Sequence, residues 1–189
     1  MTRFIHAVAE PQESQLLKTL DALFRCESIR SRIDAIVERV AHNLAGNREA
    51  SMAWESIPLE LYGDALPDVI RSSWVFILRA GRATGAERHP NSVQRMVSYR
   101  GAGDLQTSDD MHMWTSYAMV SDRDVSFEQR WLSIPINTWH QAVVTANEDW
   151  VVVSFHSVAA DELIEERPDP EAEERMWQRK YVDEARQSW

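Results

Sequence analysis

The second half of this chain is a series of short strand-like segments separated by frequent turn signals, and that pattern limits its folding more than any other feature. From Ser72 onward, Trp74-Val75-Phe76-Ile77-Leu78 is an apolar run rich in strand formers. Similar segments recur at Gln94–Tyr99, Met113–Val120, Arg130–Ile134, His140–Thr145 and Trp150–His156. Between them lie Gly81, Gly85, Pro90-Asn91, Gly101–Asp104, Asp122–Asp124, Pro135–Asn137 and Asn147–Asp149, residues that favour turns for distinct steric and hydrogen-bonding reasons. Segments this short leave no room for a long amphipathic helix. They predict an all-β sandwich or barrel over about Ser72–Ser157.

The flanks have a different texture. In Glu13–Cys26 the apolar residues Leu16, Leu17, Leu20, Leu23 and Phe24 fall on one helix face. A second helix is expected from Ser28 as N-cap through Ile29, Ile33, Ile36, Val37, Val40 and Leu44 to a stop at Gly46. Met52–Leu66, with Pro58 inside it and Pro67 just after it, reads as an irregular or mixed connector. The tail from Asp161 holds ten acidic and five basic residues. Met176, Trp177, Tyr181 and Ala185 recur there at helical spacing, after a hinge at Arg167-Pro168-Asp169-Pro170, and predict a C-terminal helix. The expected organisation is a helical N-terminal extension over residues 1–71 packed on the barrel, the barrel over 72–160, and an acidic helical tail over 161–189.

Composition narrows the function classes. The chain has 189 residues, 20 Lys+Arg and 30 Asp+Glu, and a formal net charge of −10. A nucleic-acid binder needs a basic surface to displace counterions, so that class is not expected, and neither is a polybasic membrane-surface role. No apolar run approaches the roughly 18 residues of a membrane span, and Met1–His6 lacks the apolar stretch of a signal peptide. Cys26 is the single cysteine, so an internal disulfide is impossible, and a packed thiol in a cytoplasmic protein is expected. The helices carry more apolar surface than one small barrel obviously needs, which favours a homodimer.

Two motifs carry the chemistry. Gly81 is followed by five residues and Glu87, then His89, four residues, Gln94, six residues and Gly101. Pro135-Ile136-Asn137 is followed by two residues and His140. In these spacings the chain resembles the cupin superfamily of double-stranded β-helix barrels (the RmlC-like jelly rolls). There the first motif is Gly-x5-His-x-His-x3–4-Glu-x6-Gly and the second includes Pro-x-Gly-x2-His. Glu87 stands where the first His is usual, Gln94 where the Glu is usual, and Asn137 where the Gly is usual. Asn tolerates a left-handed backbone almost as Gly does, so that replacement is mild. The earlier Gly of the second motif falls at Gln129 and its later Asn at Val144, two departures. The resemblance covers roughly Ser72–Ser157. It implies a cupin barrel whose four motif positions hold a divalent metal.

The residue types lead to similar chemistry on their own. Residues two apart on a strand face one way, so Glu87 and His89 point together. Gln94 returns on the next strand after the Pro90-Asn91-Ser92 turn, and His140 comes from another. Two imidazoles and a carboxylate are the donor set of a facial triad, which favours Fe(II), while Mn, Ni, Co or Zn also suit nitrogen and oxygen donors. The plain alternative is an ordinary polar hairpin with a relic glutamine. His112 and His156 are candidates for acid–base or supporting roles. His112 would face the interior if Trp114, Ser116 and Ala118 do, and His156 shares parity with Ser154 and Val152. Arg95 and Arg100 flank the first motif; one of them could receive a substrate carboxylate, although surface roles are more common. Trp139 has opposite parity to His140 and is expected outside the cup.

Three functions fit these readings. The first is a metal-dependent enzyme on a small organic substrate, of oxygenase (dioxygenase), lyase or isomerase type. The second is a non-catalytic small-molecule-binding or regulatory module. The third is a metal-free epimerase-like enzyme using His140 or His112 as base, although no clear acid partner is visible.

Overall fold

A computed structural model describes residues 10–169 and 176–180. Helices α1 (Pro11–Leu23) and α2 (Glu27–Gly46) come first, followed by β1 (Met52–Ser56) and a 3-10 segment at Leu59–Ala65. The strands continue as β2 (Ser72–Leu78), β3 (Gln94–Arg100), β4 (Ala102–Ser108), β5 (Thr115–Val120), β6 (Trp131–Ile134), β7 (Trp139–Val143), β8 (Trp150–His156), β9 (Ile164–Pro168) and β10 (Met176–Lys180). One sheet has the order β1-β2-β8-β3-β6, and the facing sheet has the order β5-β4-β7. All named pairings are antiparallel, and sequence neighbours repeatedly sit in opposite sheets. This is the jelly roll of the cupin type that the motifs imply.

The five-stranded sheet is buried on both faces, which explains why β2 reads as an unbroken apolar run. Val75 and Ile77 point outward, into a cluster with Leu17, Leu20, Ile33, Ile36, Val37 and Val40 of the two helices. Trp74, Phe76 and Leu78 point inward, against Leu105, Met119 and Ala142 of the facing sheet. The apolar helix surface that suggested a dimer is therefore covered within the chain. Among the described residues, the exposed large apolar side chains are Val69, Met113, Ile136, Met176 and Trp177.

Ion pairs fix the helical layer in register. Glu13 of α1 takes both Arg95 Nε at 2.6 Å and Nη2 at 2.9 Å, and it accepts a hydrogen bond from Ser133 Oγ at 2.7 Å. Asp21 accepts from Arg130 Nη1 at 2.7 Å and Trp131 Nε1 at 2.8 Å. Burial alone would raise the Asp21 carboxyl, but the hydrogen bonds and charge of Arg130, with Trp131, hold it below its usual range. Arg100 pairs with Asp34 and Glu38 of α2. Arg95 and Arg100, proposed as substrate receptors, are thus committed to docking the helices. Arg79 bonds the carbonyls of Leu44 and Asn47 at the C-terminus of α2, where a cation complements the helix dipole.

Several local expectations are corrected. Residues Met52–Ser56 are not a loose connector: they pair with β2 as the edge strand of the large sheet. Strand β4 begins within the Gly101–Asp104 stretch read as a turn. Its Gly103 is obligatory, because a Cβ there would lie 2.1 Å from Trp150 Cε3. Where a C-terminal helix was expected, Ile164–Pro168 and Met176–Lys180 form an antiparallel hairpin, so the proposed hinge at Arg167 is part of a strand. Tyr181 and Ala185 of that predicted helix lie outside the described residues. Cys26 is exposed at the start of α2 rather than packed, with its Sγ 3.1 Å from Ser28 Oγ. Among the described residues, no helix is long and apolar enough to cross a membrane.

Candidate metal centre

The stretch after β2 runs along the three-stranded sheet and carries the first motif into the barrel. Backbone bridges join Glu87 to His140 on β7 and Arg88 to Glu166 on β9. Glu87 N donates to His140 O at 2.9 Å, and His140 N returns a bond to Glu87 O at 2.8 Å. Asn137, at the position where the resembled motif has Gly, has φ 61° and donates its N–H to His89 O at 3.0 Å. The left-handed turn at Asn137 therefore ties the second motif to the first.

This backbone framework brings Glu87, His89 and His140 together, each with a ligand-type atom within 4.8 Å of the others. Both imidazoles are buried. His89 Nδ1 lies 2.9 Å from Ile164 O and His140 Nδ1 lies 3.2 Å from Thr138 O. A carbonyl can only accept, so each Nδ1 carries a proton, and in the neutral ring the remaining lone pair is on Nε2. That tautomer is the one second-sphere carbonyls impose on metal-binding histidines. His140 Nε2 has no hydrogen-bond partner and lies 3.4 Å from Glu87 Oε1. A lone pair facing a carboxylate is unfavourable unless a proton or cation lies between them. Gln94, the first residue of β3, lines the same cavity as Glu87 and His140, and its buried Oε1 has no hydrogen-bond partner. The donor set of carboxylate, two imidazole lone pairs and a bare amide oxygen fits a divalent cation.

The electrostatics favour an ionised Glu87 and a neutral His89. Burial would raise the Glu87 carboxyl, but the Arg167 charge, with His140 and His89, outweighs it and holds that carboxyl well below the usual range. Burial pushes His89 down to about 4, helped by the neighbouring His140. Burial, with His89 and His140, lowers His156 well below its ordinary value.

The other expected residues lie in different places. His156, on β8 opposite Gln94, packs edge-on against His89 with ring centroids 5.1 Å apart. Its nitrogens face Ser92 Oγ at 3.4 Å and Ser154 Oγ at 3.3 Å. His112 sits in the exposed β4–β5 turn, where its N–H donates to Asp110 Oδ1 at 2.9 Å. The parity reasoning is reversed there: Met119 is buried, whereas Ser116 and Ala118 are exposed. Trp139 is buried under Arg88, whose guanidinium lies 4.6 Å from the ring centroid.

Arg167 was missed. It comes from β9 and ion-pairs with Glu87 and with the fully buried Glu165, and its Nη1 donates to Thr84 O at 3.0 Å. The sequence signal was alternation: Leu163, Glu165 and Arg167 share one strand face, but an acidic and a basic residue at inward positions hid it.

Comparison with known proteins gives a fold-level likeness. No family profile matches the chain, and no curated sequence matches it. Among solved structures, the capsular polysaccharide assembling protein CapF from Staphylococcus aureus matches with a TM-score of 0.47 and 13% identity, over 67% of this chain and 31% of that one. Lactobacillus farciminis oxalate decarboxylase matches at 0.44 and 12%, over 57% of this chain and 29% of that one. An oxalate oxidase in complex with glycolate also matches at 0.44 and 12%, over 57% of this chain and 51% of that one. This chain thus spans less than a third of the first two and about half of the third. At such identities no residue role transfers, and the chemistry must be read from the side chains themselves.

Proposed function

We propose that the barrel holds a divalent metal through Glu87, His89, His140 and Gln94 and acts on a small organic substrate. The observation that carries this reading is the pair of buried imidazoles, each with Nδ1 beside a backbone carbonyl and each with a ligand-type atom within 4.8 Å of the Glu87 carboxylate. Fe(II) is the ion favoured by two imidazoles and one carboxylate, with Mn, Ni, Co or Zn as the other candidates. A bound divalent ion supplies charge that polarises a carbonyl or hydroxyl oxygen, or redox reactivity toward dioxygen. Ile164 and Thr138 carbonyls hold the two imidazoles in the ligating tautomer. Met52, Phe76, Leu78, Met96, Leu105 and Val152 wall the cavity and exclude water. His156 serves as a positioning residue: it braces the His89 ring, and serine hydroxyls hold both of its nitrogens.

A non-catalytic small-molecule-binding module is the second reading, and the Glu87–Arg167 ion pair favours it. That pair neutralises the carboxylate without any metal. Elemental analysis of protein purified without added metal separates the two. The metal-enzyme reading expects close to one divalent ion per chain. A metal-free protein that refuses Fe(II), Mn(II) and Zn(II) on reconstitution supports the binding module instead.

A further inference from the structure

The end of α1 and the segment between β5 and β6 enclose a second cavity of about 410 Å³, lined by Asp21, Phe24, Arg25, Arg123 and Arg130. It shares no lining residue with the cavity at the metal centre. Three of its five lining side chains are guanidiniums, on a chain whose formal net charge is −10. The cavity therefore concentrates the minority charge.

The three arginines are committed to different degrees. Arg130 Nη1 and Nη2 donate to the two oxygens of Asp21, at 2.7 and 3.2 Å. Asp21 also accepts from Trp131 Nε1 at 2.8 Å, so its carboxylate is already taken up. Arg25 approaches that carboxylate only to 3.5 Å, and its side chain is 76% exposed. Arg123 Nη2 donates to the carbonyl of Phe24, the C-cap of α1, at 3.1 Å. Among the described residues Arg123 has no carboxylate partner, and Phe24 O is its one acceptor. The Asp122 carboxylate next to it in sequence accepts from Asp124 N at 2.9 Å and does not line the cavity.

Helix capping thus occupies one of the five donors of Arg123. One carboxylate and the partial negative charge at the end of α1 face three full positive charges, which leaves an excess of more than one. A dianionic oxyanion complements that excess, and guanidinium forks match the spacing of phosphate oxygens. The volume lies in the range of small-molecule sites, so it has room for an organic body beside the phosphate, with Phe24 as apolar wall.

We propose that this cavity is a second ligand site, which takes a small phosphate monoester on Arg123 and Arg25, with the Asp21-anchored Arg130 adding charge. The site is independent of the metal centre and stands whether or not the barrel holds an ion.

Calorimetry on the full-length protein tests it, after metal is removed with chelator and the chelator dialysed away. The probes are phenyl phosphate, inorganic phosphate and succinate, at about pH 7.5, where the phosphate is mostly dianionic, and in about 0.1 M salt. The wild type should bind phenyl phosphate saturably at one site. R123Q should weaken that binding about tenfold and R25Q about threefold, because each removes a charge-assisted contact, the second a more exposed one. R48Q removes the same charge from an exposed arginine past the opposite end of the 20-residue α2, about 30 Å away by helix rise. It should leave the affinity within about twofold, since salt screens charge over that distance. R25Q decides the matter if circular dichroism shows R123Q unfolded. Absence of saturable binding of phenyl phosphate by the wild type overturns the inference, and so does a loss in R48Q equal to that in R123Q. Succinate bound as tightly as phenyl phosphate overturns the assignment to a phosphate monoester.

Discussion

Lowering the pH from about 7 to about 5 should destabilise the metal-free protein through two buried imidazoles, His89 and His156. Both are nearly inaccessible, at 3% and 1% exposure. Burial pushes His89 from 6.5 down to about 4, and His156 falls well below 6.5 as well. A base whose folded value is depressed stays neutral in the native state while its unfolded form takes up a proton. Stability is therefore unaffected above about pH 6.5, falls as the pH drops below it, and for His89 stops falling near pH 4. pH 5 lies about 1.5 units below the ordinary imidazole value, which for His89 is worth about 2 kcal/mol, and His156 adds to the loss in the same direction. Glu87 acts in a separate window, because a depressed carboxyl loses its contribution only as pH falls below the ordinary carboxylate range. Urea unfolding with chelator present, at the two pH values, measures the loss, and H156Q should reduce it. Equal stability at both pH values, or a loss unchanged in H156Q, would refute the reasoning.

Three further outcomes follow from packing and placement. G103A puts a methyl group 2.1 Å from the buried Trp150 indole and should cost about 3 kcal/mol in a denaturant titration, with loosening of the β4–β8 contact seen by hydrogen exchange. D21N should cost about 2–3 kcal/mol, because it removes a charged acceptor shared by Arg130 and Trp131 and leaves a buried guanidinium without its counter-charge; faster exchange of α1 amides is the readout. H112A should leave metal affinity and thermal stability unchanged, since that side chain is exposed in a turn held by Asp110.

Much of the barrel was legible because its signals were local. Gly81, Gly101 and Asn137 all adopt positive φ, as turn residues at those motif positions should. Trp74–Leu78 and Trp150–His156 read as strands from composition alone. What sequence could not show depends on partners far along the chain. Ala102–Ser108 has Thr107 as its one β-branched residue, and its pairing is set by β5 and β7 on either side. The tail misled because Met176 and Trp177 fit a helical spacing, whereas the inward face of β9 is ionic: Arg167 pairs with Glu165 on its own strand and with Glu87, eighty residues earlier. His156 gave only a parity hint, and its place against His89 depends on the register of β8 with β3. Arg95 looked like a ligand receptor until α1 supplied Glu13.

The central claim is that four side chains form one metal centre, and calorimetric titration of the chelated protein with a divalent metal tests it most directly. The wild type should bind one equivalent. H140A should weaken binding most, because it deletes an imidazole already fixed in the ligating tautomer by Thr138. E87Q should come next, because it keeps the shape and removes the negative charge. Q94A should cost least, since water can replace a neutral amide oxygen. Equal and weak binding by the wild type and all three variants would contradict the account and leave a barrel whose carboxylate is neutralised by Arg167 alone.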